Sequence, residues 1–175
     1  VIAVNVAKQS APDGYTLLMI STSNVIQPIV YGTPYNVRRD FSPVAQLVTQ
    51  PYLLAVTASL NVKSLSELIA HAKANPGKTT FGSAGSGSLT HLAAELFKDQ
   101  AQIDALHVPY KGTGAVYPDL IGGRLQFAFV TIVSALPHVR SNRLRALAVS
   151  SARRARAVPE IPTVAEAGLL GYVVT

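Results

Sequence analysis

The sequence has no cysteine, no tryptophan and a single methionine among its 175 residues. Without a thiol there is no disulfide, no thiolate nucleophile and no cysteine ligand for a metal. The compartment stays open on this ground, because cysteine-free chains occur on either side of a membrane. Charged residues are sparse, at 14%, but apolar residues make up 49%. That balance excludes a disordered chain and supplies a sizeable core. No run of about 20 consecutive apolar residues occurs, so no spanning helix is expected, and no signal-peptide pattern is read in these residues.

What charge there is leans positive, with a net charge of +6 and a pI near 9.8. Arg140, Arg143, Arg145, Arg153, Arg154 and Arg156 crowd one stretch. A nucleic-acid surface would add aromatic platforms or a recognition helix, and no aromatic residue lies there. A solvated basic surface is expected, with no nucleic-acid partner. His71, His91, His107 and His138 fall in no HxxxH or HxxE arrangement, so no metal site is indicated, and they read as structural residues. His91 is the exception, because it stands in the first turn of a predicted helix beside a glycine-rich loop. The acidic residues are scattered singly, and no close carboxylate pair suggests acid–base catalysis.

Short β-rich runs alternate with helical periodicity, which predicts an α/β fold. The runs are YTLLMIS (15–21), YLLAVT (52–57), TTFGS (79–83), LHVPY (106–110), LQFAFVT (125–131) and LRALAVSS (144–151). In SLSELIAHAKANPG, Ser64 and Glu67 form a capping-box pattern and Leu65, Leu68, Ile69 and Ala72 mark one face. The next helix carries Leu89, Leu92, Ala93, Leu96 and Phe97 at buried-stripe spacing. Shorter helices are expected over AVYPDLIGG, SALPHVR and PTVAEAG, the last with Thr163 and Glu166 as its box and Gly168 as its stop.

The segment GSAGSGS (82–88) lies between the strand TTFGS and the helix LTHLAAELF. Glycines let backbone approach a ligand, and a helix start offers unpaired N–H groups, so strand, glycine-rich turn and helix together suit an anion. The phosphate loop GxxxxGK[ST] fails because Ser88 stands where lysine is required, GxGxxG fails at Thr90, and no serine here satisfies GxSxG. A plain turn with Ser88 as N-cap explains the same letters. The loop alone does not choose between these readings.

A longer pattern resembles a known family. PDGYTLLM (12–19), DFSPVAQLV (40–48), SELIAHAKANPGK (66–78), FGSAGSGSLTHLAAELF (81–97), HVPYKGTG (107–114), DLIGGRLQFAF (119–129), LRALAVSSARR (144–154) and PEIPTVAEAG (159–168) stand in the order seen in the Bug family. These are extracytoplasmic solute receptors of tripartite tricarboxylate transporters. The resemblance covers nearly the whole chain.

The resemblance implies a type II periplasmic-binding-protein-like architecture, two α/β lobes joined by crossover strands that close on a small carboxylate. Residues 1–57 and 150–175 would form lobe 1, and 58–149 lobe 2. Against a full family member, the chain is expected to lack an opening βα unit and closing helices, leaving lobe 1 incomplete. The matching ligand-binding positions are Ser21, Thr22 and Ser23; Ser83, Ala84, Gly85, Ser86, Gly87 and Ser88; and Val130 and Thr131, with His91 as a further lining candidate. Val130 stands where the family commonly has an aspartate, which disfavours a ligand bearing an amino group. The implied role is a periplasmic, monomeric receptor without cofactor, metal or catalytic residues, delivering its ligand to membrane permease subunits. The alternatives are a ligand sensor for a signalling partner and an α/β enzyme acting on a small carboxylic acid.

Overall fold

The computed structural model describes residues 2–175, which divide into two compact units. The first comprises the chain up to Val48 together with Gly87–Leu89, and the second comprises Thr49–Ser86 and Thr90–Thr175.

The first unit holds α1 (Ile2–Gln9), α2 (Thr22–Tyr31) and α3 (Val37–Asp40). Helix α2 begins where the Asn24 side chain accepts hydrogen bonds from the N–H and hydroxyl of Ser21, at 2.9 and 3.2 Å. It ends on Gly32, whose φ of 62° is the left-handed conformation that glycine adopts without penalty. Asn36 caps α3 by accepting from the N–H groups of Arg38 and Arg39. Lys8 bridges to Asp40 at 2.9 Å, tying α1 to α3. The strand expected over 15–21 is absent. That stretch is irregular, its alternating Tyr15, Leu17 and Met19 are exposed, and no partner strand lies beside it among the described residues.

The second unit is an α/β layer. In chain order it contains β1 (Tyr52–Thr57), α4 (Leu65–Ala74), β2 (Thr80–Ser83), α5 (Leu89–Ala101), β3 (Leu106–Pro109), α6 (Tyr117–Ile121), β4 (Phe127–Thr131), α7 (Ile132–Arg140) and β5 (Leu144–Val149), with helix α5 starting in residues grouped with the first unit. The sheet order is β3-β2-β4-β1-β5, with β2 parallel to β3 and β4, and β1 antiparallel to β4 and β5.

Both faces of this sheet are covered, so its strands read as near-continuous apolar runs. The period-two geometry of a strand sends Leu54, Val56, Phe127 and Phe129 into the cluster that includes α4 and α5. Their neighbours Leu53, Ala55, Ala128 and Val130 enter the opposite cluster, which includes α6 and α7. Gly82 is required by close packing: a Cβ there would lie 2.7 Å from both Leu125 Cδ1 and Val116 Cγ1.

The C-terminal segment is part of the second unit and packs against its sheet. The Ser150 hydroxyl accepts the Tyr52 N–H at 2.8 Å and donates to the Val174 carbonyl at 2.5 Å. The Tyr172 ring is fully buried beside Phe129, and its hydroxyl donates to the Ala93 carbonyl at 2.8 Å.

Two helices differ from expectation. The stripe of α5 runs through Thr90, Ala93, Ala94, Phe97 and Ala101, while Leu89, Leu92 and Leu96 are only partly covered. The face is rotated because Thr90 turns inward, where its hydroxyl accepts the Ala84 N–H at 3.0 Å. PTVAEAG forms a hydrogen-bonded turn and no helix. The Thr163–Glu166 box is nonetheless complete, each side chain accepting the other's N–H at 2.9 and 3.0 Å.

Candidate carboxylate site

Strands β2, β3 and β4 run parallel, so their C-terminal ends share one edge of the sheet, the edge at which ligands of open α/β folds bind. Of the predicted residues, Ser83, Ala84, Gly85, Ser86, His91, Val130 and Thr131 belong to the second unit. Ser21, Thr22, Ser23, Gly87 and Ser88 belong to the first. Ser21 caps α2, with Thr22 and Ser23 in its first turn.

The first half of the loop is fastened by its own unit. Tyr110 N–H donates to the Ser83 carbonyl at 3.1 Å, and Gly112 N–H to the Ala84 carbonyl at 3.0 Å. The Ala84 N–H is taken by Thr90, and the Gly85 N–H by the Ser83 hydroxyl at 3.1 Å. The expectation that loop amides are offered to a ligand is therefore corrected for Ala84 and Gly85, whose donors are spent. Gly85 has φ 130° and Gly87 φ 73°, conformations that a side chain would strain.

Ser83 is fully buried and anchors a cluster that sequence reasoning missed. Its Oγ lies 2.6 Å from His107 Nε2. The hydroxyl also donates to the Gly85 carbonyl at 3.1 Å, so its single proton is used, and hydrogen-bond accounting puts the ring proton on His107 Nε2. The His107 ring stacks on His91 with centroids 3.9 Å apart and on Phe81 at 5.0 Å. Burial pushes the His107 pKa below its ordinary value, and the positive potential of His91 and Lys98 adds to this against an opposing Glu95. The signal available in the sequence was HVPYKGTG. Only the β2–β3 register, with Phe81 opposite His107, brings it beside Ser83.

On the neighbouring strand, Thr131 ends β4 and caps α7, with its hydroxyl bonded to that of Ser134, which also bonds Tyr117 at 2.7 Å. Val130 differs from expectation. It is fully buried in the α6–α7 cluster because alternation along β4 turns it away from the edge, so any contribution to a ligand comes from its backbone.

The α/β architecture and its edge loops define a periplasmic-binding-protein-like fold. The model of the tripartite tricarboxylate transporter family receptor matches residues 1–175, and the chain belongs to that family. It is 38% identical, over 99% of its length, to a UPF0065 protein from the tcbD-tcbE intergenic region of a Pseudomonas species, of which it covers 52%. It is 37% identical to Protein BugT of Bordetella pertussis, covering 54% of that protein. The chain thus spans about half the length of the curated relatives it matches. Among solved structures, R. palustris Rpa4515 with adipate superposes with a TM-score of 0.88 at 34% identity, covering 99% of this chain and 58% of that one. MatC from Rhodopseudomonas palustris with bound malate gives 0.83 at 29%, covering 99% and 60%. The periplasmic binding protein BugD gives 0.85 at 26%, covering 99% and 58%. The family and these neighbours are binding receptors.

Proposed function

We propose that the full-length protein is a periplasmic, monomeric solute receptor that binds a small organic carboxylate in the cleft of a two-lobed fold and delivers it to the permease subunits of a tripartite tricarboxylate-type transporter. The carrying observation is the likeness, over nearly the whole chain, to a receptor solved with adipate and another solved with malate. Lobe 1 would contain residues 1–57 and 150–175, and lobe 2 residues 58–149.

The ligand carboxylate rests on residues 86–88 at the start of α5, where the helix dipole favours an anion. Thr131 and His91 are further candidate ligand positions in the second unit, and Ser21, Thr22 and Ser23 are candidates in the first. Closure of the lobes around the ligand gives the form that the permease recognises. No residue is assigned a catalytic role. Backbone amides and hydroxyls select the carboxylate common to many metabolites, so the ligand is defined by class.

Native mass spectrometry of the freshly purified full-length protein tests this reading. A retained small organic acid, exchangeable with added adipate or malate and released unchanged, supports it. Turnover of the acid, or no binding across a panel of mono- and dicarboxylates, contradicts it.

A further inference from the structure

Two bonds that fold the Ser83–Gly85 turn back on itself pass through one hydroxyl, and that hydroxyl is held by His107. The other face of His107 is covered by His91, whose ring lies 3.9 Å away at an interplanar angle of 20°. Two neutral rings stack favourably at this separation. Two imidazolium ions do not, because like charges so close repel strongly in a half-buried site.

The surroundings are charged on one side. From α5 come His91, Glu95 and Lys98, with Glu95 3.7 Å from His91 Nε2 and 3.0 Å from Lys98 Nζ. Lys98 also stands 5.4 Å over the Phe81 ring. From β2 come Phe81 and Ser83, neither of which gains or loses a proton in this range.

We propose that His107 is a positioning residue for the ligand loop, and that its stack on His91 makes the order of the Ser83–Gly85 turn respond to protonation. With His107 neutral, the stack is closed and Nε2–H holds Ser83. When His107 takes a second proton on Nδ1 and both rings are charged, like-charge repulsion loosens the stack, and the first turn of α5, which carries His91, moves relative to β3. The turn between them then loses the anchor that runs through Ser83 and His107, while its bonds to Tyr110, Gly112 and Thr90 remain. The inference rests on packing inside the second unit and not on the reading of the loop as a carboxylate site, so either can fail without the other.

The sign follows from the direction of the shift. A histidine held below its ordinary value of 6.5 binds fewer protons in the folded protein than in the unfolded one. Its contribution to stability is therefore present above that value and is lost as the pH falls through the folded-state value.

The test is a nuclear magnetic resonance titration of the ligand-free full-length protein from neutral to mildly acidic pH, following the His107 ring and the Gly85 amide together. The expected result is that the Gly85 amide resonance moves with the same midpoint as the His107 ring. His107→Gln keeps an N–H near the Nε2 position but cannot titrate. It should leave the Gly85 resonance close to its neutral-pH position and flat with pH, while His107→Ala should shift it at every pH. His91→Gln removes the stacked imidazole whose electrostatic effect helps to hold the His107 pKa down, and should raise the His107 midpoint. A Gly85 resonance that stays flat through the wild-type His107 titration overturns the proposal, and so does a Gly85 titration that survives unchanged in His107→Gln. The wild-type comparison decides the matter even where a variant folds poorly.

Discussion

Ser83 Oγ lies 2.6 Å from His107 Nε2, across a pair of parallel strands and 24 residues away in sequence. The same oxygen accepts the Gly85 N–H, so one buried hydroxyl joins a strand end, a neighbouring strand and the loop of the candidate site.

Replacing Ser83 with alanine leaves the Gly85 N–H and His107 Nε2–H without their acceptor. A buried donor stripped of its partner costs about 1–3 kcal/mol. Urea unfolding of Ser83→Ala should show a lowered midpoint with an unchanged denaturant slope. An unchanged midpoint would mean that the anchor carries no weight.

Gly82 should tolerate no side chain. A Cβ placed 2.7 Å from Leu125 and Val116 forces the interface between β2 and the α6 layer apart, and overpacking of this kind costs about 1–3 kcal/mol. Gly82→Ala is expected to lower the melting temperature measured by circular dichroism. A melting temperature at or above wild type would show that this interface yields freely.

Tyr110 should titrate far above a free tyrosine. Burial raises its pKa to about 12, helped by the hydrogen bond it donates to Asp119 at 2.5 Å and by that carboxylate's charge. Because the folded value is raised, the linked stability is present below the ordinary value of 10.0 and is lost as the pH rises toward 12. Tyrosinate absorbance should show several late-titrating groups, since burial also raises Tyr52, Tyr117 and Tyr172, and one of them should move to lower pH in Asp119→Asn. If none of them moves, this bond is not the cause.

Thr163 should matter through its cap although no helix follows it. Thr163→Ala removes the acceptor of the Glu166 N–H, at a cost of about 1 kcal/mol by analogy with helix N-caps. Glu166 is held below the ordinary 4.5 by the Thr163 N–H and then by Arg154. Its contribution is thus present above 4.5 and fades as the pH falls. Chemical denaturation at neutral and acidic pH checks both statements: Thr163→Ala should be less stable than wild type at either pH, and Glu166→Gln should remove part of the acid-dependent loss that wild type shows; a Thr163→Ala as stable as wild type would count against the cap.

How far the letters could be read depended on how local each signal was. YLLAVT is β1 residue for residue, and Ser64 does cap α4 by accepting the Glu67 N–H. These rest on neighbours in sequence. The start of α2 was equally local, in Ser21 and Asn24, and was not read there; the helix carries Pro28 in its interior. The face of α5 was misread because counting apolar residues ignores a threonine turned inward for a backbone N–H. Val130 was placed at the site edge by motif position, whereas alternation from Phe129 sends it to the core. His107 could not be paired with Ser83 before the strand order was known. The glycine-rich loop was legible as a turn, but the spending of its first two amides was not.

The central claim is that a carboxylate rests on the second half of this loop. Calorimetric titration of adipate and of malate into the full-length protein and into its Gly87→Val variant tests it most directly. Gly87 holds a positive φ of 73°, which valine adopts only under strain. The account predicts that wild type binds at least one of the two acids and that the variant, measured where it is still folded despite the strain at this φ, binds it at least about tenfold more weakly, equivalent to about 1.4 kcal/mol. A variant that is less stable but binds the acid as tightly as wild type would contradict the account and leave the loop a turn without a ligand.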